Sequence, residues 1–361
     1  MGTGARTYGD AMTTVAAVEA VLPPHRYPQH VLTEAFAEVC LPPGADRGVL
    51  RRFHENARVQ YRNLVLPVED YPAIEDFTAA NDIFVEHAVR MAADAVSGAL
   101  KQCGLSAGDV DVIVSTTVTG VAVPSLEARV AGRLGLRADI VRVPLFGLGC
   151  VAGAAGVARL HDLLAGRPDA VGVLVSVELC SLTVQRGDRS MANLVASGLF
   201  GDGAAAVVMT GSSRMESGPR VLATRSHLYP DTERTMGWDI GAQGLRIVLD
   251  ASVPDLVRQY LGDDIRRFLG DNSLAVADVA AWISHPGGPK VIEAIEDELG
   301  LGPAALALTW RSLAEVGNLS SASVLHVLAD TLDRRTPAAG EYGLLLAMGP
   351  GFCSELVLLQ W

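Results

Sequence analysis

The sequence predicts an α/β protein with two similar halves, and three observations support this fold class. The chain has 361 residues, of which 49% are hydrophobic, so it can bury one large core or two fused cores. Short runs rich in Val, Ile and Ala alternate with segments of helical periodicity, a pattern typical of α/β proteins. Residues 105–115 and 274–284 match without a gap at Leu, Asp, Val and Ser, which indicates an internal duplication.

The duplicated unit is a helix, a strand and a second helix. Amphipathic helices are predicted at about residues 85–103 and 253–269, directly before the two matching segments. Strands are predicted at the short apolar runs 110–114, 170–177, 204–209, 279–283, 344–348 and 355–359. We therefore divide the chain into an N-terminal half, residues 1–218, and a C-terminal half, residues 219–361.

Composition excludes several classes of partner and site. The net charge of −12 argues against nucleic acid, because phosphate binding needs a basic surface. The five cysteines are scattered and form no CxxC pair, so we expect reduced thiols in a cytoplasmic protein, no disulfide framework and no metal site. No apolar run reaches the roughly 18 residues of a membrane span. Arg6 replaces the Ser or Thr that a myristoylated Gly2 requires, so we expect no stable membrane anchor.

Cys150 is the first candidate for chemistry. It follows the apolar run 141–148 and opens the small-residue stretch 150–157, so it is predicted at a helix N-terminus in a crowded interior. Backbone N–H groups and the helix dipole favour a thiolate there, which lowers the thiol pKa. The alternative is an inert buried cysteine in an alanine-rich core.

The second copy supplies two partners for Cys150. Asn318 opens a small-residue stretch at the corresponding place in its copy, so a pseudo-twofold packing brings it opposite Cys150. His285 ends the second matching strand, where α/β sheets usually present catalytic groups. Taken singly, these are an N-cap asparagine and a turn histidine. Together with a thiolate they form a set suited to condensing thioesters, in which the protonated histidine stabilises the thiolate as an ion pair and the amide donates to an oxyanion.

A set of motifs runs in order from about residue 15 to the C-terminus. The motifs are Cys150 with Gly153 and Gly156, Glu178 with the run 199–206, the runs 285–289 and 317–322, and Gly349-Pro350-Gly351. Their combination resembles the type III polyketide synthases, the chalcone synthase-like branch of the thiolase fold. The resemblance implies a homodimer of thiolase-fold subunits, each with a duplicated αβαβα core. Such an enzyme works directly on CoA thioesters, without a carrier protein, cofactor or metal.

The resemblance also implies roles for individual residues. Cys150 matches the acyl-carrying nucleophile, and His285 and Asn318 match the pair that stabilises the thiolate and the enolate formed when malonyl-CoA loses carbon dioxide. Phe200 matches an aromatic gatekeeper between the CoA tunnel and the cavity, and Val123 matches a residue that reaches into the partner's cavity. The same resemblance places further residues in the substrate site: Cys180, Thr183, Glu178, Ser320, Gly349, Pro350 and Gly351.

Departures from the plant enzymes bear on the substrate. Ile247 stands where those enzymes have a second gatekeeper Phe, Trp238 replaces a small residue, and Cys180 replaces a Thr. In the loop 347–351, with the runs 236–238 and 351–353, the chain resembles the bacterial alkylresorcinol and alkylpyrone synthases. That implies a medium- or long-chain fatty acyl-CoA starter, extended with malonyl-CoA or methylmalonyl-CoA. An aliphatic wall suits such a starter, since each buried CH₂ contributes about 0.8 kcal/mol. Closure to an alkylpyrone or to an alkylresorcinol stays open.

Basic residues near the expected cavity mouth are candidates for binding the CoA phosphates. Arg51, Arg52 and Arg58 cluster on a predicted helix, and Lys290 follows the turn after His285. The alternative for the three arginines is a solvated helix face.

Two other functions compete with this interpretation. A ketoacyl-ACP synthase III uses the same three residue types for one condensation on a carrier-bound malonyl group. The patterns at 317–322 and 349–351, and the lack of basic excess, favour the polyketide branch. A catalytically silent binding subunit would lack one of the three residues, and Cys150, His285 and Asn318 are all present.

Overall fold

A computed structural model describes residues 6–7, 12–42, 44–186, 188–214 and 217–361. Gly2, on which the expectation about a lipid anchor depends, lies outside the described residues. No helix within these ranges is long and apolar enough to cross a membrane.

Fourteen strands and eleven α-helices form within the described ranges. The strands are β1 (Arg6–Thr7), β2 (Thr13–Val21), β3 (His25–Pro28), β4 (Tyr61–Leu64), β5 (Val112–Thr116), β6 (Val141–Leu145), β7 (Val171–Leu179), β8 (Asp202–Thr210), β9 (Arg220–Leu228), β10 (Met236–Gly241), β11 (Gly244–Leu249), β12 (Val279–Ser284), β13 (Tyr342–Gly349) and β14 (Cys353–Gln360). The helices are α1 (Gln29–Cys40), α2 (Gly48–Asn56), α3 (Phe77–Gln102), α4 (Leu126–Leu134), α5 (Ala152–Leu164), α6 (Met191–Leu199), α7 (Val253–Leu256), α8 (Gly262–Asp271), α9 (Pro289–Leu299), α10 (Ala307–Val316) and α11 (Ser323–Arg334).

Ten of these strands form one large sheet whose order repeats in its two halves. The order is β12-β13-β14-β9-β2-β8-β7-β5-β6, with β1 beside β9. From the centre outward, the N-terminal half runs β2-β8-β7-β5-β6 and the C-terminal half runs β9-β14-β13-β12. In both halves, two antiparallel pairs are followed by a parallel pair. Among the described residues the C-terminal half has no counterpart of β6. The predicted duplication is confirmed by this strand order.

Helices α5 and α11 form the middle layer of the molecule. Helix α5 contacts β5 and β7 of the N-terminal half and β13 and β14 of the C-terminal half, and α11 contacts β2, β8, β12 and β13. Helix α3 packs on the outer face of the N-terminal half, while α8 and α9 pack on the outer face of the C-terminal half. The layers are therefore helix, the N-terminal half of the sheet, helix, the C-terminal half of the sheet and helix, and the predicted αβαβα core is confirmed.

The alternation of side chains along β13 explains this layering. Leu345 and Ala347 pack in the cluster of the middle layer, whereas Leu344 and Leu346 pack with α8 and α9. Because both faces of such a strand are buried, its sequence is a continuous apolar run rather than an alternating one.

The residues shared by the two repeat copies have the same structural role in each. Asp109 accepts the backbone N–H of Ser106 at 2.8 Å, and Asp278 accepts that of Ala275 at 2.7 Å. Each carboxylate closes a short turn that ends within two residues of β5 or β12. The recurring Asp therefore fixes where the strand of each copy begins.

The predicted elements lie on observed ones, with ends that differ by a few residues. The six predicted strands are β5, β7, β8, β12, β13 and β14. Helix α3 begins at Phe77 rather than near residue 85, because the Asp76 side chain accepts the Ala79 N–H and caps it. The helix predicted at 253–269 is α7, a π-helical turn at Val257–Leu261, and α8. The division of the chain at residues 218 and 219 precedes β9 and stays a prediction.

Candidate active site

Cys150, His285 and Asn318 line one cavity of about 620 Å³. The cavity lies where the first turn before α5, the C-terminal end of β12 and the segment before α11 meet. Much of its wall is aliphatic or aromatic, including Leu32, Phe36, Val39, Phe53, Val118, Phe200, Trp238, Ile247 and Met348. The structure thus brings the three predicted residues to one apolar cavity.

Glycines bring Cys150 to this cavity. Gly149 has φ +57°, and a Cβ there would lie 2.5 Å from Pro350 Cδ. The turn Gly149–Val151 leads into α5, where a Cβ on Gly153 would lie 2.2 Å from the Ser321 carbonyl oxygen. Only residues without a side chain allow the two halves to approach this closely beside Cys150.

The thiol of Cys150 is held in its neutral form. Its Sγ donates to Ser320 Oγ at 3.7 Å. Burial raises the pKa of the Cys150 thiol to about 12, against a smaller lowering by the Ser320 hydrogen bond. The expectation that the helix N-terminus lowers this pKa is wrong, because desolvation of the thiolate outweighs the helix dipole.

The amide of Asn318 is fixed by the backbone around it. Asn318 and Phe200 form a parallel bridge, in which the Asn318 N–H donates to Leu199 O at 2.8 Å and Gly201 N–H donates to Asn318 O at 2.9 Å. Asn318 Oδ1 accepts the Ser320 N–H at 2.8 Å. Since the oxygen is already engaged, the Nδ2 group is the part of the amide that remains available as a donor.

The imidazole of His285 is a neutral acceptor beside this amide. His285 Nε2 lies 3.4 Å from Asn318 Nδ2, so Nε2 accepts and the ring carries its proton on Nδ1. Nδ1 is buried without a hydrogen-bond partner among the described residues. Burial lowers the pKa of His285 to about 3. The predicted thiolate–imidazolium pair is therefore replaced by a neutral thiol and a neutral imidazole.

Comparison with known proteins identifies the family. Residues 3–214 match the model of the chalcone and stilbene synthase N-terminal domain, and residues 220–361 match that of the C-terminal domain. The chain belongs to the chalcone and stilbene synthases. It is a type III polyketide synthase and an acyltransferase, and this confirms the resemblance drawn from its motifs. The family match also decides against the ketoacyl-ACP synthase III and the silent binding subunit.

Individual relatives cover nearly the whole synthase. A 1,3,6,8-tetrahydroxynaphthalene synthase of Streptomyces peucetius subsp. caesius is 58% identical over 98% of this chain and 94% of its own length. Another from Streptomyces coelicolor is 33% identical over 92% of this chain and 90% of its own. The crystal structure of 1,3,6,8-tetrahydroxynaphthalene synthase from Streptomyces coelicolor is similar with a TM-score of 0.91 and 30% identity, covering 96% of this chain and 99% of that one.

Several other predicted residues border the cavity of the synthase. They are Phe200, Ile247, Trp238, Cys180, Thr183, Ser320, Pro350 and, of the basic candidates, Lys290. Trp238 and Ile247 face each other across the β10–β11 hairpin. Thr183 Oγ1 donates to the Cys180 carbonyl at 2.8 Å, so its hydroxyl proton is already used by the backbone. The hairpin and the segment after β7 therefore form the cavity wall together.

Glu178 does not border the cavity, and its predicted place in the substrate wall is corrected. Its carboxylate is buried and accepts from the Val118 N–H at 3.1 Å, from Thr119 Oγ1 at 2.9 Å and from Ser321 Oγ. Burial raises the pKa of Glu178. The side chain thus ties the wall at Val118 to the segment before α11, and it supports the site from behind.

Of the loop Gly349-Pro350-Gly351, only Pro350 borders the cavity, so the two glycines are corrected from wall to backbone roles. A Cβ on Gly349 would lie 2.5 Å from Leu148 O, which shows how closely β13 approaches the turn that carries Cys150. Gly351 has φ +71°, in the region that favours glycine.

Val123 lies on the surface of this chain and outside its cavity. It is 97% exposed and precedes a cis peptide bond to Pro124. Two further exposed apolar residues, Val121 and Phe146, lie at 44% and 52% exposure.

The basic candidates differ in their surroundings. Arg51 pairs with Glu34 at 2.9 Å, and Arg58 pairs with Glu293 at 2.7 Å and lies over the Trp310 ring. Within the described part of the chain, Arg52 and Lys290 have no ion pair. Lys290 also borders the cavity, whereas the three arginines do not.

Arg62 and Tyr71 are among the polar residues of the wall that sequence reasoning missed. Arg62 lies in β4 and is buried, with Nε donating to Gln29 Oε1 and Nη1 donating to the Phe200 carbonyl. Tyr71 Oη hydrogen-bonds Ser181 Oγ at 2.5 Å. The available signal for Arg62 was an arginine two residues before the apolar run 64–66, which is also common on surface strands.

Proposed function

We propose that this type III polyketide synthase uses malonyl-CoA as both starter and extender and forms 1,3,6,8-tetrahydroxynaphthalene. The observation that supports the proposal is the 58% identity, over 98% of this chain, to the Streptomyces peucetius enzyme of that name. The naphthalene in that name bears hydroxyl groups and no alkyl chain. Its carbons therefore fit a chain built from malonyl units alone.

Loading begins with a proton transfer from Cys150 to Nε2 of His285. The sulfur attacks the thioester carbonyl, the new S–C bond forms, the bond to CoA breaks, and the CoA thiolate takes the proton from His285. A neutral imidazole with an unprotonated Nε2 suits this step, because Nε2 then has a lone pair that can accept the thiol proton.

Extension requires an enolate from a second malonyl-CoA. When its carboxylate leaves as carbon dioxide, the electron pair moves onto the thioester and charge develops on the thioester oxygen. Asn318 Nδ2 donates to that oxygen, and His285 becomes the second donor when its proton lies on Nε2. The enolate carbon then attacks the acyl group on Cys150, and the thiolate is released for the next cycle. The apolar wall limits competing attack by water.

A fatty acyl-CoA starter is the second candidate, and the cavity wall favours it. Ile247, Leu32 and Val39 give an aliphatic lining in which alkyl groups are stabilised by burial. With this starter, and malonyl-CoA or methylmalonyl-CoA as extender, the product is an alkylpyrone or an alkylresorcinol.

Product analysis by mass spectrometry separates the two candidates. We expect a tetrahydroxynaphthalene from malonyl-CoA alone, and no product from the Cys150→Ala variant. Parallel reactions add hexanoyl-, dodecanoyl- or methylmalonyl-CoA. If product forms only when a fatty acyl-CoA is added, the malonyl starter is wrong and the alkyl assignment holds. A strict need for malonyl-ACP would contradict both.

We propose that the CoA phosphates bind at Lys290 and Arg52, which have no competing ion pair within the described residues. We also propose that the enzyme requires no small molecules other than CoA thioesters. Replacing Lys290 with Gln is expected to raise the KM for malonyl-CoA by about threefold or more with kcat retained, since it removes an attraction equal in ground and transition states. A cytoplasmic location stays a prediction.

We propose a homodimer in which a second copy covers Val121, Val123 and Phe146, with Val123 reaching the partner's cavity. Phe146 directly follows the edge strand β6, which has a neighbour on one side only, and Val121 and Val123 lie between β5 and α4, which both contact β6. Sedimentation is expected to give twice the chain mass. Phe146→Asp should give a monomer, whereas Ile240→Asp, at an exposed apolar residue of the β10–β11 hairpin, should not. A monomeric wild type would overturn the proposal.

A further inference from the structure

We propose that Arg62 is a positioning residue for the decarboxylation step: its guanidinium holds the backbone that carries Phe200 and Asn318, and so aims the Asn318 amide at the reacting thioester. The inference rests on the proposed function, because it takes Asn318 as the donor to the enolate oxygen. Arg62 itself is hydrogen-bonded to neither Cys150 nor His285.

The guanidinium joins two segments that are far apart in the chain. Arg62 Nη1 donates to the Phe200 carbonyl at 2.9 Å, and Nε donates to Gln29 Oε1 at 3.0 Å. Gln29 in turn donates through Nε2 to the Gly198 carbonyl at 2.6 Å. Two carbonyls of the 198–200 segment are therefore held, one directly by Arg62 and one through Gln29.

The side-chain stem of Arg62 packs on the glycine before Asn318. Gly317 has φ +76°, and a Cβ there would lie 3.2 Å from Arg62 Cγ and 2.7 Å from Leu199 O. The Asn318 N–H donates to that same Leu199 oxygen. The bridge between the Phe200 and Asn318 segments is thus held on one side by backbone hydrogen bonds and on the other by Arg62.

The charge on Arg62 is retained although the side chain is only 5% exposed. Burial lowers its pKa to about 10, and the Asp202 carboxylate opposes this shift, so the group is a cation at neutral pH. Hydrogen bonds from a cation to a carbonyl are stronger than neutral ones, and the planar fork fixes two directions at once. A lysine at the same place offers the charge without the fork.

Two reactions of the same protein separate positioning from general stability. The first is decarboxylation of malonyl-CoA to acetyl-CoA, followed by chromatography in a Cys150→Ala background. The second is alkylation of Cys150 by iodoacetamide in the protein with its natural cysteine, followed by peptide mass analysis. Decarboxylation depends on the aim of Asn318, whereas alkylation depends on the thiol and on folding.

In Arg62→Gln we expect the kcat of decarboxylation to fall at least about tenfold with KM little changed. A misaligned Asn318 amide loses its hydrogen bond mainly to the charge that develops in the transition state. The alkylation rate should stay within about twofold, because the thiol and its partner Ser320 are untouched. Arg62→Lys should recover part of kcat. Arg137→Gln, at an exposed arginine paired with Asp111 and Asp139, is the matched control and should change neither reaction.

Unchanged decarboxylation in a folded Arg62→Gln protein would overturn the proposal, and so would an equal fall in both reactions. If Arg62→Gln does not fold, the same two reactions are measured in Arg62→Lys and Gln29→Ala. Both are expected to lower decarboxylation selectively, and a failure of both to do so overturns the proposal. Failure of the proposed function is recognised separately: an Asn318→Ala protein that decarboxylates at the wild-type rate would remove the role of Asn318 itself.

Discussion

The turns that carry Cys150 and Asn318 occupy corresponding places in the two halves, yet they hold their functional groups in different ways. The Cys150 thiol has one weak hydrogen bond, to Ser320 Oγ at 3.7 Å. The Asn318 residue is held by backbone bonds on both sides, and its Oδ1 is engaged by the Ser320 N–H. A nucleophile must form and break bonds, whereas an oxyanion donor acts best when it needs no reorganisation.

The same device, a glycine with positive φ, opens both turns. Gly149 precedes Cys150 with φ +57°, and Gly317 precedes Asn318 with φ +76°. After Cys150 the chain enters α5 directly. After Asn318 it first bridges to Phe200 and passes through Ser320, which has φ +48°, before α11 begins. The extra bridge is what fixes the amide, so the difference between the halves lies in these few residues.

Removing each group should affect a different step, and this is the largest effect that we expect. Cys150→Ala should lower product formation by at least about 10³-fold, since no acyl carrier remains, while malonyl-CoA decarboxylation stays within about threefold. Asn318→Ala should lower decarboxylation itself by about 10²–10³-fold. Chromatography of acetyl-CoA and of the polyketide measures both. Equal loss of decarboxylation in the two variants would contradict the assignment of acyl transfer to Cys150 and of enolate stabilisation to Asn318.

The packing between the halves offers the next largest effect. In Gly153→Ala the new Cβ would lie 2.2 Å from Ser321 O and 2.7 Å from Val324 Cγ1, so α5 and α11 must separate. We expect the free energy of unfolding to fall by about 3 kcal/mol, at the upper end for overpacking because a backbone oxygen is involved. Urea unfolding measures this change.

Gly132→Ala is the matched control for this substitution. Gly132 lies inside α4, and a Cβ there meets no atom within 4 Å. That variant should be stabilised by about 0.5–1 kcal/mol, because alanine is the better helix former. If Gly153→Ala is as stable as the wild type, α5 does not pack as closely on the segment before α11 as the structure indicates.

Strands buried on both faces were predictable from sequence, whereas the central pair of strands was not. The run in β13 is continuously apolar, and that in β7 is apolar from Val171 to Val175. The strand β9 carries Arg225, which is buried because it pairs with Asp264 and Asp271, and the sequence does not show that pairing. Burial of charge depends on partners from distant parts of the chain, so the charge pattern of β9 alone argued against a core strand.

Contacts between residues that are distant in sequence also separate the predicted part of the site from the part that was missed. Cys150, His285 and Asn318 lie at element ends that glycine and proline mark in the sequence. Arg62 acts through Phe200 and Gln29, which are distant in sequence. The direction of the Cys150 pKa shift was also wrong, because desolvation depends on how completely the cavity closes around the thiol.

The neutral state of the Cys150 thiol predicts how its reactivity depends on pH. Burial raises the pKa of the thiol to about 12, so the thiolate fraction grows throughout the accessible range. Alkylation by iodoacetamide should therefore rise about tenfold per pH unit between pH 6 and 9. Decarboxylation in Cys150→Ala should be nearly flat there, because the amide of Asn318 does not titrate and the pKa of His285 is about 3.

Peptide mapping separates alkylation of Cys150 from that of Cys180, which borders the same cavity. A Cys150 alkylation rate that does not change from pH 6 to 9 would mean that His285 already holds the thiol proton. The neutral pair would then be wrong and the ion pair expected from the sequence would be right.

The smallest effect tests the residue that the two turns share. Ser320 donates its N–H to Asn318 Oδ1 at 2.8 Å, while its hydroxyl accepts from Cys150 Sγ at 3.7 Å. Ser320→Ala removes only the hydroxyl, which in the native protein lowers the Cys150 pKa because it can turn and donate to the thiolate once the thiol has lost its proton. Alkylation at pH 8 should therefore slow by about two- to fivefold, the value of one weak hydrogen bond. Decarboxylation should not change, because the backbone N–H still fixes the amide. A fall in decarboxylation larger than the fall in alkylation would place the hydroxyl with Asn318 instead, and the loosely held thiol would then have no partner of its own.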